Sequence, residues 1–156
     1  DDCDAAIGQA RWDVYAGSAG GFAAAPTAYT LPAARCAVSW DKPARSTGAL
    51  KYSLLDLSGD KRSDLIVTRD DCDSLVGQSR WDVYPGSATG LAQAAANITL
   101  PAPRCGASFD ATVKSSGALH FGVFAWSATD HPSLLVTRDS CDATVGAAHW
   151  DYYAAQ

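Results

Sequence analysis

An aspartate-rich segment near the middle of the chain has the side-chain spacing of a calcium-binding loop. Oxygen-bearing residues stand at every second position, and a tight loop can turn such oxygens toward one hard cation. Positions 1, 3, 5, 7 and 9 of the segment are Asp56, Ser58, Asp60, Arg62 (through its carbonyl) and Asp64. The segment therefore predicts one calcium ion per chain.

Two features of the same segment oppose a cation. Lys61 stands where such loops usually carry glycine, and its charge repels a metal ion. The chain contains no glutamate, so no bidentate Glu can complete the ligand set. A later segment that aligns with this one, residues 125–133, carries no carboxylate at the equivalent positions. A polar loop that keeps its shape without an ion is the alternative interpretation.

A strand-like motif with tryptophan followed by aspartate occurs three times. Strand alternation would place Trp and Val on one face, and Arg, Asp and Tyr on the other. A sugar site combines an aromatic plane with groups that bind hydroxyls, so the motif predicts carbohydrate binding. The alternative is that Trp and Val form core while Arg pairs with Asp outside it. The candidate ligand-binding residues are Arg11, Trp12, Asp13, Tyr15, Arg80, Trp81, Asp82, Tyr84, Trp150 and Asp151.

A long internal repeat organises the chain. The Asp-Asp-Cys-Asp sequence at residues 1–4 returns at 70–73, and a close variant returns at 139–142. Residues 1–69 and 70–138 are identical at 34 positions without a gap. The chain is thus predicted to be one domain, residues 1–156, with two full repeats (1–69 and 70–138) and a partial third repeat at 139–156.

Short runs of β-branched and aromatic residues, bounded by Gly, Pro, Ser and Asp, predict an all-β fold. Each repeat contains four such runs, which fits a four-stranded antiparallel unit of the β-propeller type. A β-sandwich of two four-stranded sheets is the alternative. The predicted strands are residues 11–15, 28–31, 49–57, 64–68, 80–84, 97–100, 118–126, 133–137 and 149–153.

The segment from Leu54 to Val67 resembles the core of FG-GAP or VCBS-type repeats, in which an aspartate-rich loop joins two strands. The following Trp-Asp-Val-Tyr-x-Gly-Ser-x-x-Gly sequence is similar to the next part of such units. The resemblance covers both repeats, although only one retains the aspartate loop. It implies blades of a β-propeller, as in integrin heads and in a fungal lectin family, and it supports calcium binding by the loop.

Composition and charge exclude several classes of function. The formal net charge is −5, so no basic surface for nucleic acid is expected. The apolar runs are too short for a membrane-spanning helix. No nucleophile elbow, phosphate loop or dinucleotide fingerprint occurs, which argues against an enzyme. With no methionine or glutamate and only four lysines, the chain lacks the usual helix-forming residues.

Five cysteines in a glycine-rich β protein indicate an oxidising compartment. In the four-strand unit, Cys72 precedes the third strand and Cys105 follows the fourth, which favours a Cys72–Cys105 disulfide and, by repeat symmetry, Cys3–Cys36. The competing scheme is Cys36–Cys72 with Cys105–Cys141. No spacing fits a structural zinc site.

Together these observations predict a secreted binding protein, and the alanine-rich, lysine-poor composition suggests a bacterial source. Multivalent carbohydrate binding is the leading hypothesis, because equivalent sites on one scaffold gain avidity. An adhesion or scaffold module that binds extracellular protein is the alternative. Two units leave two faces unburied, so the copies are expected to form a homo-oligomer.

Overall fold

The computed structural model of this protein describes residues 3–125 and 131–154, which form β-strands, turns and loops without a helix. None of this described part could therefore cross a membrane as a long apolar helix. The strands are β1 (Arg11–Val14), β2 (Gly17–Ser18), β3 (Gly21–Phe22), β4 (Thr27–Thr30), β5 (Leu50–Leu55), β6 (Asp64–Asp70), β7 (Arg80–Tyr84), β8 (Ala96–Thr99), β9 (Val113–Lys114), β10 (Leu119–Phe124), β11 (Ser133–Asp139) and β12 (Asp151–Tyr153).

All sheets are antiparallel, and the all-β prediction is confirmed. The central sheet has the order β5-β6-β7-β8, and the C-terminal sheet has the order β12-β11-β10-β9. Strands β1 and β4 form a two-stranded N-terminal pair, and β2 and β3 form a short tip hairpin between them. The predicted strands correspond to β1, β4 to β8 and β10 to β12; the end of the run predicted at 118–126 lies outside the described residues.

The register of the sheets repeats with the sequence. Strand β6 pairs with β7 so that Leu65 is opposite Tyr84, and one repeat later β11 pairs with β12 so that Leu134 is opposite Tyr153. The central sheet runs from residue 50 to residue 99 and so crosses the boundary between the sequence repeats at 69/70. The sheet is therefore offset from the sequence repeat, with two strands from each copy.

Both faces of the central sheet are buried. On β6, Leu65 and Val67 belong to one hydrophobic cluster and Ile66 to another, and each of the three has 0 % of its surface exposed. Successive side chains on a strand point to opposite faces, so the sheet needs an apolar layer on each side. Trp12 of the N-terminal pair packs on the first face, and Leu134 of the C-terminal sheet packs on the second.

The two clusters are built from equivalent residues, so the same interface occurs twice. We call the space between the N-terminal pair and the central sheet the first gap, and that between the central and C-terminal sheets the second gap. Seven buried first-gap positions have a buried second-gap counterpart at the same place in the next repeat. The equivalent pairs are Leu31 and Leu100, Trp40 and Phe109, Leu50 and Leu119, Tyr52 and Phe121, Leu65 and Leu134, Val67 and Val136, and Val76 and Val145.

The disulfides follow the competing scheme. Cys36 is joined to Cys72 and Cys105 to Cys141, so the preferred pairing of Cys72 with Cys105 and of Cys3 with Cys36 is wrong. The reason is the offset of the sheet: Cys36 lies in the connection that enters the central sheet, and Cys72 lies in the β6–β7 loop of that same sheet. Cys3 is exposed and belongs to neither bond.

An ion pair fastens the connection into the C-terminal sheet onto the central sheet. Lys51 Nζ on β5 lies 2.5 Å from a carboxylate oxygen of Asp110, and Thr68 Oγ1 donates to the Asp110 carbonyl at 3.1 Å. Burial by itself would raise the pKa of Asp110, but the hydrogen bond and charge of Lys51 outweigh it, so the pKa lies below the usual value.

We expect this pair to make stability acid-sensitive. A carboxyl whose pKa is lower in the folded state stabilises the fold above the unfolded pKa, about 4, and loses that contribution as the pH falls through the folded value. Asp110→Asn should therefore reduce the free energy of unfolding at pH 7 by about 1 kcal/mol and have a smaller effect at pH 3. Urea unfolding at both pH values measures this, and an equal loss at both would contradict it.

Candidate functional site

The tryptophan of the central motif is part of the core. Trp81 is 2 % exposed, lies in the second gap, and donates its indole N–H to the Phe109 carbonyl at 2.6 Å. Val83 packs in the same cluster, as alternation along β7 requires. Almost none of the Trp81 surface is accessible to a sugar ring.

The aspartate of the central motif is engaged by two arginines. Asp82 is 5 % exposed and accepts hydrogen bonds from Arg35 at 2.5 Å and from Arg80 at 2.9 Å. Arg35 also pairs with Asp70, which is 4 % exposed, and lies 3.5 Å from the Tyr84 hydroxyl. Burial by itself would lower the pKa of Arg35, but the hydrogen bond to Asp82 and the neighbouring charges raise it, so the guanidinium stays charged.

The same network recurs one repeat later. Arg104 pairs with Asp139 and Asp151 and lies 3.5 Å from the Tyr153 hydroxyl, each residue at the repeat position of its counterpart. Asp70 and Asp139 also sit beside the two disulfides. Because the cysteines of these groups are oxidised and the aspartates face arginines, neither group is arranged as a metal site.

The first and third copies of the motif are more exposed than the second. Trp12 donates to the Trp40 carbonyl at 2.5 Å, as Trp81 does to Phe109, but Tyr15 is 48 % exposed. Arg11 binds Asp13 at 2.9 Å and Asp4 at 2.6 Å. Trp150, the counterpart of Trp81, is 56 % exposed because no described layer covers that face of the C-terminal sheet.

The aspartate-rich loop is held by its own backbone. Asp64 is 1 % exposed and accepts from the Leu57, Ser58 and Gly86 amides at 2.8 to 3.0 Å. Asp56 accepts from the Gly59 and Lys61 amides at 2.7 and 2.8 Å.

Asp60 in the same loop accepts from the Arg62 amide at 2.9 Å. Lys61 has a φ of 69°, a left-handed conformation that favours glycine. The carboxylates of Asp56, Asp60 and Asp64 thus satisfy the turn rather than converging on one point, and calcium binding by this loop stays a prediction.

A groove of about 680 Å³ opens between the central and C-terminal sheets. Its floor is mainly apolar, with Leu100, Leu134 and part of Trp81. Four of the remaining lining residues are polar. Ser58 of the aspartate-rich loop and Thr99 each carry a hydroxyl, Asn97 carries an amide, and His131 carries an imidazole.

In the first gap, the equivalent place is filled by the chain itself. Leu91, in the β7–β8 connection, is 4 % exposed and donates its amide to the Thr30 carbonyl at 2.9 Å. Gln93 donates to the Leu31 carbonyl at 3.2 Å. Thr30 and Leu31 correspond to Thr99 and Leu100, which line the groove. The groove is therefore the place in the second gap that Leu91 and Gln93 fill in the first gap.

Sequence reasoning identified Ser58 and Trp81 but missed the other polar groups of the groove. Asn97 and His131 replace Ala28 and Arg62 of the preceding repeat, and this difference between copies was the available signal. His120 and His149 do not line the groove.

No family model, curated protein or solved structure matches this chain.

The arginine network generates a stability prediction. Arg35→Gln leaves Asp70 and Asp82 buried without their shared cation, so we expect a loss of about 3 kcal/mol in the free energy of unfolding. Arg69→Gln is the matched control, because the side chains of Arg69 and its partner Asp71 are 43 % and 45 % exposed. Its loss should stay below about 0.5 kcal/mol. Equal losses in urea unfolding would contradict a buried role for Arg35.

Calcium binding by the aspartate-rich loop predicts a rise in the melting temperature with added CaCl₂. Lys61→Gly should enlarge the rise, since it removes a positive charge and relieves the left-handed lysine backbone. Asp60→Asn should abolish it by removing one carboxylate ligand. Differential scanning calorimetry measures all three, and melting temperatures independent of calcium in the wild type and in Lys61→Gly would show that the loop holds no ion.

Proposed function

We propose that this protein is a secreted, non-enzymatic binding protein that recognises carbohydrate in the groove between its central and C-terminal sheets. The observation that carries the proposal is the groove itself. An apolar floor can take the C–H face of a sugar, while Asn97, Thr99 and His131 supply donors and acceptors for hydroxyls. The half-buried Tyr153 adds an aromatic ring at the same place.

The architecture we propose is the β-propeller type of the FG-GAP/VCBS repeats. Its support is the stacking of successive antiparallel sheets through one repeated interface, with the central sheet covered on both faces. A two-sheet sandwich would bury only one face of each sheet. Three consecutive buried residues on β6, Leu65 to Val67, favour the stacked arrangement.

An extracellular location is supported by the two disulfides, which persist in oxidising compartments. The net charge of −5 fits partners other than nucleic acid. A bacterial source remains a proposal from composition alone. One open groove lies within the described residues of each chain, so multivalency would come from association of several chains.

A protein-binding adhesion or scaffold role is the second candidate, and one observation favours it. The counterpart of the groove in the first gap contains a segment of polypeptide, Gly90–Leu91, bound through a backbone hydrogen bond and a buried leucine. The second gap thus has the form of a site for a short extended peptide as well as for a sugar.

A glycan array with fluorescently labelled protein tests the carbohydrate proposal. Wild-type protein should bind a defined set of glycans, and Asn97→Ala should lose about tenfold in affinity for that set, since it removes one amide from the groove. Gln78→Ala, an exposed amide away from the groove, is the matched control and should bind like the wild type. An array without signal from folded protein would favour the protein-binding role.

A further inference from the structure

The loop between β5 and β6 carries two adjacent basic residues, Lys61 and Arg62, at its tip. The chain has 12 lysine and arginine residues, and this is the one place in the sequence where two of them are neighbours. Every residue from 58 to 63 is exposed. Cleavage by proteases concentrates at exposed loop tips with small or polar residues. The pair therefore stands where an endoprotease specific for basic residues can reach it.

The tip of this loop is held by hydrogen bonds at the surface. The Lys61 amide donates to Asp56 at 2.8 Å, and the Arg62 amide donates to Asp60 at 2.9 Å. Water can replace such exposed bonds, so opening the tip costs little in net hydrogen bonding. Residues 58–63 are all polar or glycine, so no apolar side chain anchors the tip to the core. The tip can therefore open locally while the sheet stays folded.

The two peptide bonds that follow the basic residues differ in accessibility. A protease binds several residues on each side of the bond it cleaves, in an extended form. The residues next to the Lys61–Arg62 bond on both sides are exposed. A cut after Arg62 would also involve Asp64 and Leu65, which are 1 % and 0 % exposed. The bond between Lys61 and Arg62 is therefore the more accessible one.

The backbone of Lys61 also favours a cut at this bond. Its φ of 69° lies in the left-handed region, which is unfavourable for a residue with a side chain. Binding in an extended form moves this φ to the negative values of a strand. The strain at Lys61 is thus released when the loop enters a protease cleft.

The other lysines and arginines are held more firmly. Arg35 and Arg104 each pair with two aspartates. Arg45 is held by two backbone hydrogen bonds to β5, and Lys42 is followed by a proline, whose ring restricts the backbone at that bond. The remaining basic residues lie on paired strands, and they are Arg11, Lys51, Arg69, Arg80, Lys114 and Arg138. The β5–β6 loop is therefore the first place where such a protease can act.

We propose that the Lys61–Arg62 bond is a proteolytic processing site for an extracellular endoprotease whose specificity pocket carries a carboxylate. That carboxylate pairs with the Lys61 ammonium, as the pocket aspartate of trypsin does with its substrates. The C–N bond between the Lys61 carbonyl carbon and the Arg62 nitrogen breaks. Water supplies a hydroxyl to that carbon and a proton to that nitrogen. No electrons are transferred, so water is the one co-reactant.

The product is a two-chain protein held together by a disulfide. Cys36 lies in the first piece, residues 1–61, and it is bonded to Cys72 in the second piece, residues 62–156. Strands β5 and β6 flank the cut and are paired from end to end. The cut therefore divides the chain without dividing the central sheet.

The processing site adjoins the groove. Ser58 lines the groove, and a Cβ on Gly59 would lie 3.7 Å from Nδ1 of His131, another lining residue. In the intact chain the backbone holds this part of the loop from both ends. After the cut, residues 58–61 are attached at one end only, so this side of the groove becomes more mobile.

Limited proteolysis of the folded full chain with trypsin tests the site. The first product should gain the mass of one water, stay a single species without reductant, and separate into residues 1–61 and 62–156 after reduction. Hydrogen exchange in this product should rise at residues 58–61 while β5 and β6 keep their protection. A first cut at any other bond, digestion to small peptides without a two-chain intermediate, pieces that separate without reductant, or unchanged exchange at 58–61 would overturn the proposal.

Three variants test whether the protease recognises the Lys61 side chain. Lys61→Gln removes the ammonium and should slow the first cut at least about tenfold. Lys61→Arg keeps the charge and should be cut like the wild type. Arg69→Gln is the matched control, since the Arg69 side chain is 43 % exposed on the neighbouring strand β6, and it should also be cut like the wild type.

Two results with these variants would contradict recognition of Lys61. One is a Lys61→Gln chain that is cut as fast as the wild type, and the other is an Arg69→Gln chain that is cut as slowly as Lys61→Gln. These readouts use no glycan, so their failure is distinct from failure of the carbohydrate proposal.

Discussion

The requirement that β6 bury both of its faces determines the arrangement of the other layers. Leu65, Ile66 and Val67 are consecutive and fully buried, and adjacent residues of a strand point to opposite sides of a sheet. One apolar layer cannot cover such a strand. The chain supplies two layers from copies of the same repeat. The first gap and the second gap are therefore built largely from residues at equivalent repeat positions. Repetition of sequence thereby becomes repetition of an interface.

Polar groups in the gaps fix how neighbouring layers sit on each other. The indole N–H groups of Trp12 and Trp81 each donate to a main-chain carbonyl contributed by the connection into the following sheet. Arg35 and Arg104 each face a pair of aspartates on the sheet that follows them in the chain. Buried donors and charges of this kind tolerate little displacement, because losing a partner costs more than the bond contributes. The apolar residues make the layers adhere, and these polar contacts select their register.

The sequence identified some residues of the candidate site, but it did not predict that the site is a groove between two sheets. Its two chemical motifs, the aspartate-rich loop and the tryptophan–aspartate strand, are both present, but their carboxylates largely serve backbone amides and arginines. The groove carries no motif, since its lining residues come from segments that are far apart in the sequence. The informative signal was a difference between aligned copies, such as His131 against Arg62, and its meaning required knowledge of which positions face the gap.

By itself, the sequence determined the repeat length, the antiparallel all-β character and the position of nearly every long strand, because these depend on neighbours along the chain. Only the tertiary structure decided which strands share a sheet, and with that which cysteines could meet. It also decided how deeply each copy of the tryptophan–aspartate motif is buried. Trp81 is 2 % exposed and Trp150 is 56 % exposed, although both belong to the same motif. Burial depends on whether another layer lies against a residue, and the local sequence motif carries no information about that.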